Sequence, residues 1–318
     1  MDLRKFEITQ DDSGRRIDRI VRRFLPGLAL PAVYKLLRKG LVRLDGKKVS
    51  PECHVEAGSF LEIAAALYEQ TREPDQTRLA PADAGPESFP ATGTASLSVL
   101  LETPDLLFLN KPAGIPVHGE GGLDRMVPSS ASATGSLSFR TGPLHRLDRD
   151  TTGLIAFSRS LAGARWFSEG VSGRLFEKYY LGIAEGSVAE SGEWTDRTDD
   201  GKPMRTLVTP LAHGRGCTLV RFRIITGRKH QIRIQTSIRG HPLAGDTRYG
   251  GRRFPSNGGT GTYFLHAWCM VFPPDRPEGL PPSLVAPIPE AFAGAIADFF
   301  GPDTLAHIRS GDVYWKAE

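Results

Sequence analysis

Four prolines set the first constraint on how this chain can fold. Pro74, Pro81, Pro86 and Pro90 punctuate a run from Glu69 to Ser96 that is otherwise rich in Ala, Thr and Gly. Proline has no amide hydrogen and clashes with the preceding turn, so a regular helix through this run is excluded and a connector is expected. A length of 318 residues also exceeds the usual ~100–200 residues of one domain. Two folded units are therefore expected, over residues 14–66 and 97–318, with residues 67–96 as the linker.

Ahead of the linker, apolar spacing and positive charge go together. Ile17, Ile20, Val21, Phe24 and Leu25 recur at helical intervals. Pro26-Gly27 ends that helix. Pro31 suits the first turn of a second, with Val33, Leu36 and Leu37 turned inward and Gly40 closing it. Residues 41–44 and 47–49 read as a hairpin across Asp45-Gly46, a dipeptide suited to a type I′ turn, and residues 59–63 as one more strand. Between Gly14 and Lys48 there are eleven basic residues and two acidic ones, whereas the whole chain has a net charge of only +4. The positive excess thus belongs to this unit. Arg15, Arg19, Arg22 and Arg23 share one side of the first helix, and Lys35, Arg38 and Lys39 line the second. Cations fixed on a helix pair meet phosphates at little ordering cost, so a polyanionic partner is expected.

Beyond the linker, short apolar or alternating runs at residues 97–101, 106–109, 154–157, 179–184, 218–225 and 264–272 predict strands. Helical spacing is confined to residues 161–169, 229–239 and 291–300. This mixture predicts an α+β domain around a largely antiparallel sheet. Two inserts interrupt it, residues 119–142, with the small-residue tract Ser129 to Ser136, and residues 250–262.

Several functional classes are disfavoured. The charged stretch from Met1 to Asp12 is unlike a signal peptide, and nothing approaches the ~18 uninterrupted apolar residues of a membrane helix. Cys53, Cys217 and Cys269 form no CxxC pair and no even disulfide set, so each is expected as a small apolar side chain in a reducing cytoplasm. No HExxH, no Cys/His ligand set and no glycine-rich phosphate loop is present.

Chemistry concentrates in three segments. In His145-Arg146-Leu147-Asp148-Arg149-Asp150-Thr151-Thr152-Gly153-Leu154 a charge-dense loop runs straight into a strand, a common place for reactive groups. Asp148 lies close to Arg146 and Arg149, and a cation near it in space would keep the carboxylate ionised, hence a nucleophile and a poor proton donor. In Lys178-Tyr179-Tyr180-Leu181, strand alternation sends the two tyrosines to opposite sheet faces. Thr226-Gly227-Arg228-Lys229-His230-Gln231-Ile232-Arg233-Ile234-Gln235 is the third, followed by Gly240-His241-Pro242-Leu243-Ala244-Gly245-Asp246-Thr247-Arg248-Tyr249-Gly250.

These segments resemble the RluA-type RNA pseudouridine synthases, in order and across most of residues 97–272. The family's H-R-L-D-x-x-[ST]-[ST]-G-L, K-x-Y-x-A-x-V-x-G, G-R-x-H-Q-I-R-x-H and G-x-P-[IL]-x-G-D-x-x-Y-G patterns are matched in turn. Asn110-Lys111-Pro112-Ala113-Gly114 and Leu265-His266-Ala267 resemble flanking elements of that family. Most of residues 14–63 resembles the ribosomal S-four type of RNA-binding module.

The resemblance implies the pseudouridine synthase fold, with Asp148 as catalytic carboxylate, Tyr180 as active-site tyrosine and Arg233 as the arginine paired with Asp148. It implies that Arg146 enters the RNA stack as the target base leaves. His145, Arg228, Lys229 and His230 are expected to bind substrate, and Arg15, Arg19, Arg22, Arg23, Lys35, Arg38 and Lys39 to dock RNA. His118 is followed by Gly119 where the family usually has proline, Gly182 and Ala184 replace its alanine and valine, and Gln235 replaces a common histidine. The helix expected between His118 and the catalytic motif is not visible in the sequence.

The expected activity is isomerisation of uridine in large-subunit (23S) ribosomal RNA, by a cytoplasmic monomer needing neither metal nor cofactor. A transfer RNA substrate, or a non-catalytic ribosome-assembly protein on the same fold, is the alternative.

Overall fold

The computed structural model describes residues 2–71, 97–127, 135–253 and 263–310. Most of the expected linker, the tract Ser129 to Ser136 up to residue 134, and residues 254–262 of the second insert lie outside the described residues.

The N-terminal unit is a three-stranded antiparallel sheet packed against two helices. Its strands are β1 (Leu3–Glu7), β2 (Val42–Leu44) and β3 (Phe60–Ala64), in the order β1-β3-β2. Its helices α1 (Ile17–Phe24) and α2 (Leu30–Lys39) turn Ile17, Ile20, Val21, Val33 and Leu37 into one core with Leu61 and Ile63. Each such buried side chain contributes about 1.5–3 kcal/mol. Asp45 and Gly46 both have positive φ, as a type I′ turn requires, but the second hairpin arm reduces to a single Leu44–Lys47 bridge. The strand beside β2 is β3.

Both expected boundaries of this unit need correction. Its sheet begins at Leu3, ahead of residue 14, because β1 pairs along its whole length with β3. At the other end, α3 (Ala65–Thr71) continues directly from β3, so residues 67–71 are helix, not linker. Tyr68 on α3 meets Phe6 and Phe24 in an aromatic cluster, which ties both ends of the unit together.

Residues 97–310 form an α+β fold on a large, mostly antiparallel sheet. Its main path is β4 (Ser98–Glu102), β5 (Leu106–Lys111), β7 (Thr152–Ser158), β12 (Leu265–Val271), β8 (Glu177–Glu185), β11 (Cys217–Ile224), β10 (Pro203–Gly214) and β9 (Gly192–Arg197). Two short strands, β6 (Gly142–Pro143) and β13 (Ser283–Val285), attach to β7 and β12. The β7–β12 pair is parallel, which brings the loops before both strands to one end of the sheet. Helices α5 (Leu161–Ser172), α6 (Gln231–Ile238), α7 (Glu290–Phe300) and α8 (Pro302–Ser310) complete the domain. A single turn, α4 (Leu123–Met126), is the only trace of a helix among the described residues between His118 and the motif that starts at His145. Cys217 and Cys269 are buried, and Cys53 is half-buried against the N-terminal core. No helix among the described residues is long and apolar enough to cross a membrane.

Gly153 shows why the parallel junction tolerates no side chain. Its φ is +109°, and a Cβ built there would lie 2.2 Å from the Ala267 carbonyl oxygen on β12. Gly153→Ala adds both backbone strain and a backbone clash, and is expected to cost at least about 3 kcal/mol. Urea unfolding of the variant checks this; a loss below about 1 kcal/mol would mean the β7–β12 junction gives way freely.

Candidate active site

The loop that carries Asp148 is pinned before and after that residue. Ahead of it, β6 pairs with β7, and Leu144 N–H donates to the Ala156 carbonyl at 2.8 Å. His145 Nε2 accepts from Ala156 N–H at 3.0 Å while its ring stacks on Phe167. Leu147 turns into the core and Arg146 turns out to solvent. Behind Asp148, Arg149 donates to the Gly114 carbonyl at 2.8 Å. Lys111 lies beneath the loop, fully buried, and its ammonium donates to the carbonyls of Pro112, Ile115 and Arg149 at 2.8, 2.7 and 2.6 Å. Burial pulls its pKa down to about 8, with Asp150 and Asp148 acting in the other direction. One lysine thereby laces the strand β5 and its following turn to the loop that carries Asp148.

Helix α6 is held by two buried amides. Gln231 Oε1 accepts from Thr226 Oγ1 and Arg228 N, while its Nε2 donates to the Arg205 carbonyl and to Thr206 Oγ1. Gln235 Oε1 accepts from Thr206 Oγ1 at 2.6 Å, and its Nε2 reaches the Trp194 carbonyl and Asp196. The departure at Gln235 therefore serves the seat of α6 on β10 and lies away from the cleft. His230, in the left-handed region with φ 55°, turns the chain into the helix.

This seating brings Arg233 to Asp148. Arg233 grips Asp246 with two bonds, Nε to Oδ2 at 2.6 Å and Nη2 to Oδ1 at 2.8 Å. Its remaining nitrogen, Nη1, stands 3.4 Å from Asp148 Oδ2. The guanidinium is stacked 4.1 Å from the Tyr263 ring centroid and 4.9 Å from that of Tyr249. Burial opposes its charge, but the bond to Asp246 and the neighbouring Tyr263 and Asp148 outweigh burial and raise its pKa further. The arginine is thus fixed by one carboxylate and lends charge to the other. Asp148 is held by longer contacts than Asp246 is, 3.4 Å to Arg233 and 3.6 Å to His230.

His230 Nε2 is 3.6 Å from Asp148 Oδ1, beyond hydrogen-bond range, and Nδ1 is 2.7 Å from the Tyr249 hydroxyl. Burial lowers the pKa of His230 and Asp148 opposes the fall, with Arg233, Arg248 and Lys229 adding to it. The charge of Arg233 is favoured by its surroundings while that of His230 is disfavoured, so Arg233 is the stronger cation beside Asp148.

Two connected spaces open here. A cleft of about 490 Å³ is lined by Arg146, Asp148, His230 and Arg233 together with His118, Arg248 and Tyr263. A recess of about 60 Å³ continues from it past Asp148 and Arg233 to Tyr180, with Ile224, Ile232 and Leu265 as apolar walls. Tyr180 is buried on the side of the sheet facing the recess, and Tyr179 packs into the opposite core. Burial, then Asp148, raises the Tyr180 pKa, so its hydroxyl keeps its proton. That hydroxyl makes no hydrogen bond to a described residue.

Asp148, Tyr180, Arg233, Arg146 and His230 therefore converge. Arg228 lines the recess edge and bonds the Pro203 carbonyl at 3.2 Å. Lys229 is exposed and borders neither space. His145 must be corrected: its ring is spent on the Ala156 amide and Phe167, and burial followed by the Lys178 charge pulls its pKa down to about 3. It anchors the loop and does not face the cleft. Asp246, Tyr249, Tyr263 and Lys111 went unassigned in the sequence. Asp246 and Tyr249 stood inside a quoted motif, but their partner Arg233 is visible only in three dimensions.

Two neutral histidines beneath this end of the sheet predict an acid limit to stability. His266 Nδ1 accepts from the Thr152 hydroxyl at 2.8 Å and Nε2 donates to the Ala286 carbonyl at 3.2 Å, and burial pulls its pKa down to about 4. His145 behaves alike. Unfolded, both titrate near 6.5. Below that pH the unfolded chain takes up protons that the folded protein refuses, so stability is whole above pH 6.5 and falls as pH approaches 4. Urea midpoints should drop across this window, and His266→Gln should flatten the drop. An unchanged slope in that variant would refute the assignment.

Comparison with known proteins gives the family of the chain. A family model described as RNA pseudouridylate synthase matches residues 105–237. The chain is 34% identical over 286 residues to ribosomal large subunit pseudouridine synthase C of Escherichia coli strain K12, spanning 83% of this chain and 87% of that protein. It is 32% identical over 285 residues to the protein of that name from Vibrio cholerae, covering 84% and 87%. Among solved structures, human RNA pseudouridylate synthase domain containing 4 superposes with a TM-score of 0.52 at 25% identity, over 63% of this chain and 91% of that one. Human RNA pseudouridylate synthase domain containing 1 shares the fold, with a TM-score of 0.50 at 22% identity over 67% and 91%. The chain belongs to the RNA pseudouridylate synthase family and is an isomerase that converts uridine to pseudouridine in RNA.

Proposed function

We propose that this enzyme modifies uridines of large-subunit ribosomal RNA, with Asp148 as the attacking group. The names of its relatives in Escherichia coli and Vibrio cholerae support the substrate. The observation that carries the chemistry is the loosely held Asp148 carboxylate at the junction of cleft and recess, 3.4 Å from a doubly fixed Arg233. The target uridine leaves its stack at a cost of a few kcal/mol, and the exposed Arg146 fills the gap. Uracil enters against the Tyr180 ring, where base–aromatic stacking contributes about 1–3 kcal/mol. Asp148 attacks either carbon 6 of the base or carbon 1 of the ribose, the bond from N1 to the ribose breaks, and the base turns. A bond then forms from carbon 5 to the ribose, carbon 5 gives up its proton to solvent, N1 takes one up, and Asp148 is released. Substrate and product are isomers, so the balance needs no cofactor.

The N-terminal unit, in this reading an S-four-type module, docks an RNA helix through phosphates. Arg19, Arg22, Arg23, Lys35, Arg38 and Lys39 are all exposed, as such contacts need. Arg15 departs from this set, since it is half-buried and donates to Ser138 at 2.9 Å.

The test is an unmodified large-subunit RNA transcript incubated with purified protein, followed by pseudouridine mapping. New pseudouridine at a few discrete uridines is expected; none would overturn the reading. Reversing Arg19, Arg22, Lys35 and Arg38 to Glu should weaken transcript binding and reduce the slope of log affinity against log salt by about 1 per lost phosphate contact.

A further inference from the structure

We propose that Asp12 is a positioning residue: it locks the RNA-docking module onto the segment that leads into the Asp148 loop, so that the span from docked RNA to cleft is fixed. The proposal rests on the docking reading above. Asp12 belongs to the N-terminal unit and is 0% exposed. All but one of its partners come from more than a hundred residues away. Oδ1 accepts from Ser136 Oγ at 2.7 Å, from Ser138 N at 2.9 Å and from Ser138 Oγ at 2.5 Å. Oδ2 accepts from Leu137 N at 2.9 Å and, within its own unit, from Thr9 Oγ1 at 3.0 Å. Every partner donates, so the cluster suits only the ionised carboxylate. Burial pushes this carboxyl up, yet the bonds from Ser138, Ser136, Leu137 and Thr9 hold it below its ordinary range.

Further contacts surround this clasp. Leu137 packs against the apolar core of the N-terminal unit. Arg15 donates to Ser138 Oγ at 2.9 Å, and Arg140 to the Arg23 carbonyl at 3.3 Å. From Arg140 the chain reaches Asp148 within eight residues. That short path is stiffened throughout, by the β6–β7 pairing, the Leu144–Ala156 bond and the His145–Ala156 bond. A clasp on a stiff lead-in makes the module a ruler. Its phosphate contacts then favour uridines at one distance, because binding energy helps only when both sites can be engaged together.

The clasp can be broken from either side, by Asp12→Ala or by the pair Ser136→Ala and Ser138→Ala. Each variant is assayed on the large-subunit transcript and on a short RNA hairpin excised around a uridine that the wild type modifies. On the transcript, kcat/KM should fall about 10- to 100-fold and modification should spread to neighbouring uridines. On the hairpin, which is too short to reach the module, kcat should stay within about twofold of wild type, which also shows that the catalytic domain is folded. All three substitutions together should add nothing to either set, since both break the same clasp.

Equal losses on both RNAs would overturn the proposal, because a merely structural carboxylate harms every substrate alike. So would variants that retain the wild-type preference for the transcript. A wild type with no such preference would overturn the docking reading and this proposal with it.

Discussion

Asp148→Asn is expected to abolish pseudouridine formation while leaving RNA bound. The amide has the shape of the carboxylate but neither its charge nor its nucleophilicity, so the attack has no attacker. Removing a nucleophile of this kind lowers kcat by at least about 10³-fold. Arg233 should remain in place, since its two short bonds go to Asp246 and only a 3.4 Å contact goes to Asp148. Folding stability should therefore change by less than about 1 kcal/mol, as for a partly exposed ion pair. RNA affinity should hold, because no phosphate contact is lost. Pseudouridine release from labelled RNA and a filter-binding titration measure the two halves separately. A variant with more than about one tenth of wild-type kcat would remove Asp148 from the chemistry.

Asp246→Asn is expected to be the more damaging change to the fold, although Asp246 reacts with nothing in the proposed mechanism. Its side chain is 1% exposed and that of Arg233 is 8%. Taking one partner from a buried ion pair leaves the other charge uncompensated, at a cost of about 3–5 kcal/mol. The freed guanidinium also has a ready second partner in Asp148. Arg233 should then close on that carboxylate and occupy the lone pairs needed for attack, so activity falls in the fraction that still folds. Urea denaturation gives the first effect, and kcat at a temperature where the variant is fully folded gives the second. A stability loss under about 1 kcal/mol would show that the pair is well solvated after all.

The two variants separate the roles of neighbouring carboxylates, and the sequence ranks these two residues differently from the structure. Asp148 stands out in the sequence because its charge-dense loop, just ahead of an apolar strand, resembles the family's H-R-L-D pattern. Asp246 also lies in a matched pattern, but its task comes from Arg233, which it grips beside the rings of Tyr249 and Tyr263. The same contrast runs through the fold. Helices α1, α2, α5, α6 and α7 and strands β5, β7, β8, β11 and β12 follow from 3.6- and 2-residue periodicity read over short windows. Strand β1 was missed because Leu3, Phe6 and Ile8 stand among charges, and its partner β3 lies more than fifty residues on. Strand β9 lies at the sheet edge and is polar, which hid it, and β10, paired between β9 and β11, was missed with it. His145 looked like a substrate ligand from its motif and proved to be a peg for the Ala156 amide.

What the chain's order of residues determined by itself was the kind of elements, the basic N-terminal unit and the identity of Asp148, Tyr180 and Arg233 as candidates. Tertiary structure alone decided which carboxylate grips Arg233 with two short bonds, which stands beside it at 3.4 Å, and that Asp12 clasps a segment beyond the linker. The reason is physical. Periodicity and turn chemistry act between residues a few positions apart, whereas the hydrogen bonds and ion pairs that tune a site form only when pairing of distant strands brings their partners within about 3 Å.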